Sequence, residues 1–316
     1  MSAPILTVTL NPALDISASV GRVVPGPKLR LGPPRHDPGG GGVNVARAVG
    51  LLGGQARAFV ALGGVAGAQL AALLAGEGVE VIPFPGPGET RQSLTVTEAG
   101  TGAEYRFVLP GPEWDPGMAE TALAALAQAA GPGAVVVLSG SQPPGVAADF
   151  PARLGAALPG ARLIVDTSGP ALARLLAPPP GDAAPEMLRL DQAEAATAAG
   201  HPLATPADSA ALAERLAARG VARVVVVAHG AKGSVLAGGG QRLHGIPPPV
   251  TVDSKVGAGD SFTGGFALAL ARGDSLPEAL RLGTAAATAA VTTGGTGLCP
   301  RALTEELLAG CRVQDV

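Results

Sequence analysis

The segment Val252-Asp253-Ser254-Lys255-Val256-Gly257-Ala258-Gly259-Asp260-Ser261 puts a carboxylate at the end of a small-residue turn that runs into an apolar helical pattern. A turn that opens a helix presents unpaired backbone N–H groups and the positive end of the helix dipole. Those groups stabilise negative charge developing on a transferred group. Asp260 at that mouth is placed to take a proton from an attacking hydroxyl, although Asp at a helix start is also an ordinary cap. A second segment, Pro38-Gly39-Gly40-Gly41-Gly42-Val43-Asn44-Val45-Ala46-Arg47, lets backbone approach a polar ligand closely and offers Asn44 as a two-way hydrogen-bonding group. The same run also suits a flexible loop. It is not a Walker A loop, since no Gly-Lys-Ser/Thr follows at the required distance. No Gly-x-Gly-x-x-Gly follows a strand either, which disfavours a nicotinamide-dependent dehydrogenase. Lys28, Arg30, Arg47 and Arg91 are scattered cations that could grip a phosphate, each such hydrogen bond contributing about 1.5–3 kcal/mol. His36, His201, His229 and His244 show no ligand-like spacing.

Short apolar runs alternate with Ala/Leu helical patterns and position these groups. Residues 5–10, 134–139, 162–166 and 221–228 read as strands, and 43–52, 66–75, 119–130, 170–176, 207–219 and 262–271 as helices. That alternation predicts a mostly parallel sheet with helices on both faces. Ligands in such folds sit beyond the carboxyl ends of the strands, where the Gly- and Asp-rich segments fall. Two regions break the pattern. Residues 15–35 are rich in Val, Pro and Gly, and 91–109 read as a hairpin, with SLTVTE and AEYRFVL flanking Ala99-Gly100-Thr101-Gly102. Together they predict a small projecting β-sheet whose apolar face must cover a ligand or a second subunit.

The chain has 316 residues, 47% of them apolar, which allows one large α/β domain and rules out wholesale disorder. A net charge of −3 gives no general drive toward nucleic acid or an anionic membrane. No apolar stretch is long enough to span a bilayer, and MSAPILTVTLNPALD does not read as a signal peptide. Cys299 and Cys311 cannot build a disulfide scaffold or a zinc site, and fit reduced thiols of a cytoplasmic protein.

With these segments in order, the chain resembles the ribokinase-like sugar kinases of the PfkB family. The resemblance runs from Thr9-Leu10-Asn11-Pro12-Ala13-Leu14-Asp15 to Gly295-Thr296-Gly297-Leu298-Cys299, nearly the full length. Ser139-Gly140-Ser141-Gln142-Pro143-Pro144-Gly145 and Val165-Asp166-Thr167-Ser168-Gly169 add to the two signatures above. It implies one kinase domain over 1–316: a three-layer α/β/α fold with a mostly parallel central sheet, and a β lid from about 12–36 and 90–110. It also implies that two lids clasp to make a homodimer. Asp15, Gly40, Asn44 and Ser141 would contact the sugar, and Lys28 and Arg91 its phosphate. Asp260 would deprotonate the reacting hydroxyl, while the amides of Gly257, Ala258, Gly259 and Asp260 steady the γ-phosphoryl group of ATP. Gly230 and Gly233 match the nucleotide loop.

Within the family the resemblance is greatest to the group acting on fructose 6-phosphate. Segments carrying it are Lys28-Leu29-Arg30, Thr90-Arg91-Gln92, Tyr105-Arg106-Phe107-Val108 and Ile246-Pro247-Pro248-Pro249-Val250. Gly41 stands where relatives acting on fructose 1-phosphate or tagatose 6-phosphate usually carry Lys. Those two activities remain alternatives, as does a catalytically silent, ligand-sensing descendant. The family's Lys-Pro-Asn-x-x-Glu appears as Arg189-Leu190-Asp191-Gln192-Ala193-Glu194. Glu194 keeps the position that holds Mg²⁺ through water. Arg189 replaces a point cation with a planar fork, and Asp191 adds a negative charge near ATP, which predicts a steep dependence on magnesium. Ala228 stands where Ser or Thr is common. The monovalent-cation loop, where potassium would bind, is matched at Ser254, Val256, Ala290 and Gly295 but not at Thr293 and Gly297.

Overall fold

The computed structural model describes residues 2–177 and 184–316. Its main body is a ten-stranded sheet. In chain order its strands are β1 (Ile5–Thr9), β4 (Arg57–Leu62), β5 (Glu80–Pro85), β8 (Val135–Ser139), β9 (Arg162–Asp166), β10 (Met187–Leu190), β11 (Val224–Ala228), β12 (Ser234–Gly238), β13 (Gln241–Ile246) and β14 (Arg312–Asp315). Their spatial order is β14-β13-β12-β11-β10-β9-β8-β1-β4-β5. Pairing is parallel from β5 through to β11. The remaining strands at the other edge join antiparallel.

The period-two alternation of strand side chains divides the interior into two layers. Leu6, Val8, Val136, Leu138 and Val165 point into one core, with Leu123, Leu126, Leu154, Leu172 and Leu212. These leucines come from α3 (Met118–Ala129), α4 (Phe150–Ala157), α5 (Gly169–Leu176) and α7 (Pro206–Ala218). Ile5, Val135, Val137 and Ile164 point the other way, against Val45, Phe262, Phe266 and Leu280. Those belong to α1 (Gly41–Leu51), α8 (Ala258–Arg272) and α9 (Leu276–Ala290). A third cluster packs α1 and α2 (Gly64–Gly76) on β4. Helices on both faces explain why β8 and β11 are Val-rich without polar alternation, and the three-layer expectation holds.

A separate four-stranded sheet, ordered β3-β2-β6-β7, is built from β2 (Ala13–Val20), β3 (Arg35–Gly39), β6 (Arg91–Glu98) and β7 (Glu104–Val108). β2 pairs parallel with β6, and the outer pairs are antiparallel. Register sets Asp15 opposite both Asp37 and Ser93, and Thr95 opposite Arg106. The sheet is moored to the N-terminus of α2, where Thr90 Oγ1 accepts from the Gly63 amide at 3.0 Å and Glu89 from the Ala66 amide at 2.5 Å. Its outer strand β7 is exposed along its whole length.

Expected elements shift at their ends. The helix expected at 262–271 begins at Ala258, so the Gly-Ala-Gly turn lies inside its first turn. β4, β5 and β10 escape pattern reading because a Pro or Arg interrupts each short run or its flank. α4, α6 (Gln192–Ala199), α9 and α10 (Arg301–Gly310) lie outside the expected helices; α4 and α6 are only 8 residues long, and α6 is Ala-rich with weak apolar periodicity.

Candidate active site at the carboxyl ends of the strands

Asp260 does not cap its helix. Gly257, at φ 76°, takes the N-cap position in the left-handed region that glycine favours, and no side-chain cap bond forms. The Asp260 carboxylate instead accepts from Asn44 Nδ2 at 2.9 Å. It lines a pocket of about 190 Å³ with Ser139, Gly140, Asp166, Thr167, Ser168, Arg189, Glu194 and Gly259. Burial, and then the like charge of Asp166, push its pKa up to about 7, against the Asn44 hydrogen bond and the Arg189 charge that favour ionisation. A carboxylate titrating near neutrality is suited to general-base work.

Asp166 and Arg189 sit at the ends of the adjacent strands β9 and β10. Arg189 Nη1 lies 3.3 and 3.2 Å from the two Asp166 oxygens, and Thr263 Oγ1 donates to Asp166 at 3.0 Å. The Arg189 guanidinium also lies 5.9 Å from the Phe262 ring centroid, and a Cβ at Gly259 would fall 3.0 Å from Nη1. One cation is therefore stacked and paired immediately beside the first turn of α8, where an anionic group would meet the free amides.

The small sheet reaches the same end of the molecule, where the Asp15 charge acts on Asp260. Burial pushes the Asp15 carboxyl up to about 6, against the pull of Arg91 and Arg106. Arg91 itself is lowered, burial outweighing Asp15. Its Nη2 and Nε donate to the Asn11 carbonyl at 3.1 and 3.3 Å. Asn11 Nδ2 donates to Ser141 Oγ at 3.2 Å. Gly40, at φ 117°, is the N-cap of α1, and a side chain there would meet Thr9 and Pro12. Asp15, Gly40, Asn44, Arg91 and Ser141 thus converge at the lid–body junction. Lys28 is exposed in the 21–34 connection between β2 and β3.

Arg47, counted above among possible phosphate-binding cations, is committed elsewhere: its Nε and Nη2 bind Glu77 at 2.6 and 2.9 Å, and Nη1 reaches Pro38 O and Asn44 Oδ1.

At the loop expected to border the nucleotide, Gly230 opens a 3₁₀ turn after β11, and Gly233, at φ 92°, ends it. A Cβ on Gly230 would approach Gln192 Oε1 at 3.6 Å, which puts this turn beside the start of α6. Asp191 caps α6: its side chain accepts from the Glu194 amide at 2.7 Å, and Glu194 accepts from the Asp191 amide at 2.8 Å. Asn caps as well as Asp, so the carboxylate here meets a local need any such residue satisfies. Glu194 is raised, chiefly by burial. Among the described residues no cluster of three or more His, Cys, Asp or Glu could hold a metal ion. One carboxylate reached through water is nevertheless what a hydrated Mg²⁺ bridging nucleotide phosphates requires, so Glu194 fits that ion.

The potassium candidates fit less well. Ser254 Oγ donates to Gly295 O at 3.1 Å and accepts from the Val256 amide at 3.1 Å, so these three lie together. The Ala290 carbonyl, however, already accepts from Thr293 Oγ1 at 2.7 Å and from its amide at 3.1 Å. Thr293 is one of the two departures in this loop, and an ion would compete with it.

Two participants were not singled out from the sequence. Asp166 was read only as part of a matching segment, and its position ending a strand on the face of Ile164 was the available signal. Asn11 likewise was read only within the segment that opens the resemblance, since its tie to Ser141 spans 130 residues.

A parallel sheet with a small β-sheet at its carboxyl side, and a carboxylate in a pocket at a helix mouth, define a sugar-kinase type of protein. The chain belongs to the pfkB family of carbohydrate kinases, whose model matches residues 10–303. It is 43% identical over 301 residues to the ATP-dependent 6-phosphofructokinase isozyme 2 of Mycobacterium tuberculosis, covering 94% of this chain and 86% of that protein. A 1-phosphofructokinase of Xanthomonas campestris is 35% identical over 288 residues, 90% of each chain. The structure matches phosphofructokinase-2 from Escherichia coli, solved with potassium (TM-score 0.91, 38% identity) and with fructose-6-phosphate (TM-score 0.89, 36% identity). Each match covers 98% of this chain and 99% of that one.

Proposed function

We propose that the protein is an ATP-dependent kinase that phosphorylates fructose 6-phosphate at its 1-hydroxyl, giving fructose 1,6-bisphosphate. The observation that carries this reading is Asp260 at about pKa 7, lining a pocket at the carboxyl ends of the strands within range of the Asp15 charge. The likeness to 6-phosphofructokinases over nearly the whole chain supports it. Asp15, Gly40, Asn44 and Ser141 orient the sugar, and Arg91 with Lys28 takes its phosphate. Asp260 removes the hydroxyl proton as the oxygen attacks the γ-phosphorus of ATP. The amides of Gly257, Ala258 and Gly259, with Arg189, receive the charge on the transferred group. Asp191, Gly230 and Gly233 border the nucleotide. Mg²⁺ held near Glu194 through water supplies neutralisation of the nucleotide phosphates, and potassium at Ser254, Val256, Ala290 and Gly295 is a further expectation.

Lid and body act as one kinase unit over 1–316, the lid drawn from about 12–36 and 90–110. Phe107, Val108 and Leu109 on the exposed edge of the lid are each more than half exposed, which supports a homodimer formed lid to lid. A 1-phosphofructokinase is the second reading, favoured by the Xanthomonas relative. Ranking kcat/KM over a panel of hexose phosphates with ATP decides between them. Highest kcat/KM for fructose 6-phosphate is expected; a preference for fructose 1-phosphate overturns the choice, and no ADP release with any of them overturns the kinase reading.

A further inference from the structure

Two bonds separate the Asp260 carboxylate from an arginine that does not line the Asp260 pocket. Asn44 Nδ2 donates to Asp260 Oδ2 at 2.9 Å, and Asn44 Oδ1 accepts from Arg47 Nη1 at 3.2 Å. Arg47 lies one turn further along α1, at the spacing where helix side chains meet. Its guanidinium is held by three other bonds. Nε and Nη2 bind the two Glu77 oxygens at 2.6 and 2.9 Å, and Nη1 also donates to the Pro38 carbonyl at 3.2 Å. The side chain is 11% exposed, so water does little to loosen it.

Arginine has five N–H donors and no acceptor. The amide atom facing it must therefore be oxygen, and the NH₂ group is left to face Asp260. Reversing the amide would put NH₂ against a guanidinium and a carbonyl against a carboxylate, losing both bonds. Without Arg47, Asn44 would follow Asp260 alone, giving NH₂ to the carboxylate and its carbonyl to the protonated carboxyl.

We propose that Arg47, anchored by Glu77 and the Pro38 carbonyl, is a positioning residue that locks the Asn44 amide with its NH₂ toward Asp260, and so sets the geometry and readiness of the general base. The proposal rests on the kinase reading, in which Asp260 is that base. It gives the arginine of the glycine-rich segment a task in place of the phosphate contact its charge suggested.

The charged groups around Asp260 are Asp166 from β9, Arg189 from β10 and Asp15 from β2, with Asn44 from α1. Arg47 bonds to none of the three charged groups, so only the Asn44 amide responds directly when Arg47 changes. Removing the lock frees the amide to turn its carbonyl to Asp260, an arrangement that requires the carboxyl to be protonated. The Asp260 midpoint must then rise.

The variant that tests this is Arg47→Met combined with Glu77→Gln, which removes the fork while the net charge of the pair stays at zero. The acid limb of the kcat profile, measured at saturating magnesium, is expected to move up by about one pH unit, the worth of one hydrogen bond to a charged group. KM for ATP stays at its parent value. The same displacement is expected in the carboxyl ¹³C resonance of Asp260, assigned by its loss in Asp260→Asn and titrated without substrate. That readout stands even if the sugar or the reaction has been misassigned. Arg47→Lys keeps the charge and one donor and is expected to give a smaller displacement in the same direction; it also serves if the double variant fails to fold. An unchanged midpoint in the folded variants, with only a lowered Tm, makes Arg47 a purely structural residue and overturns the proposal.

Discussion

The two walls of the pocket are built on opposite principles. The body wall is made of strand ends and the first turn of α8, where Asp260, Asp166 and Arg189 are recessed among fixed partners. The lid side is a four-stranded sheet with one fully exposed strand, and its Arg91 is held by the backbone carbonyls of Asn11 and Leu109. Chemistry that needs a shifted pKa and oriented amides resides where water is scarce, since preorganised dipoles act more strongly in a low dielectric. Recognition of a charged, mobile substrate resides on the side free to open. Changes on the body wall should therefore appear in kcat, and changes on the lid in KM or assembly.

The sharpest way to break that division is Asp260→Asn. Turnover is expected to fall at least about 10²-fold, the lower scale for a positioned general base, with sugar binding by calorimetry nearly unchanged. In the parent, kcat should rise with pH through about 7 as Asp260 ionises. The same substitution has an opposite effect on stability. Folding raises this carboxyl from 3.8 to about 7, so the native state binds the proton more tightly than the unfolded chain does. Native stability then declines as pH climbs from about 4 to about 7. The Tm advantage of Asp260→Asn should accordingly grow over that window and level off above it. A variant with lower Tm at pH 8 would show that the carboxylate is better solvated than its surroundings indicate.

Arg91→Ala comes next. Loss of one charged hydrogen-bonding group should raise KM for the sugar phosphate about 10- to 100-fold and leave kcat close to the parent value. A fall in kcat alone would move Arg91 to the transition state and erase the contrast between the walls. Phe107→Glu tests the lid edge. The side chain is 55% exposed in the single chain, so a stable monomer by sedimentation, with an unaltered Tm for the subunit, is expected if the lids clasp. A dimer that survives places the interface elsewhere. The smallest effect belongs to Asp191→Asn. Either residue caps α6, so Tm should shift by no more than about 2 °C, while ATP affinity at low magnesium improves a few-fold. A flat magnesium response in both proteins would remove Asp191 from the nucleotide site.

Much of this was legible one residue at a time. Apolar runs ending in Gly, Ser or Asp mark β8 and β9, and the hairpin at 91–109 shows its alternation and its Gly-rich turn. The turn before Asp260 announces an anion-binding helix start. Other features were open in the sequence for reasons that are physical. Asp260 resembled a cap until Gly257 took that place. Asp191 showed as a charge near ATP, and the structure adds that its carboxylate closes a capping box with Glu194. Arg47 looked like a free cation because Glu77 lies 30 residues away.

The order of residue types along the chain thus determined which segments are strands, which loop could hold an anion and which carboxylate opens a helix, because those outcomes depend on neighbours within a turn or two. Only the tertiary structure decided which charges are spent on one another. The Arg189–Asp166 pair, the Asn11–Ser141 bond and the Arg47–Asn44–Asp260 chain each join different elements or fix a side chain's direction. Electrostatic energies at such a site vary with distance and local dielectric, and neither is defined until the sheet has brought its strand ends together.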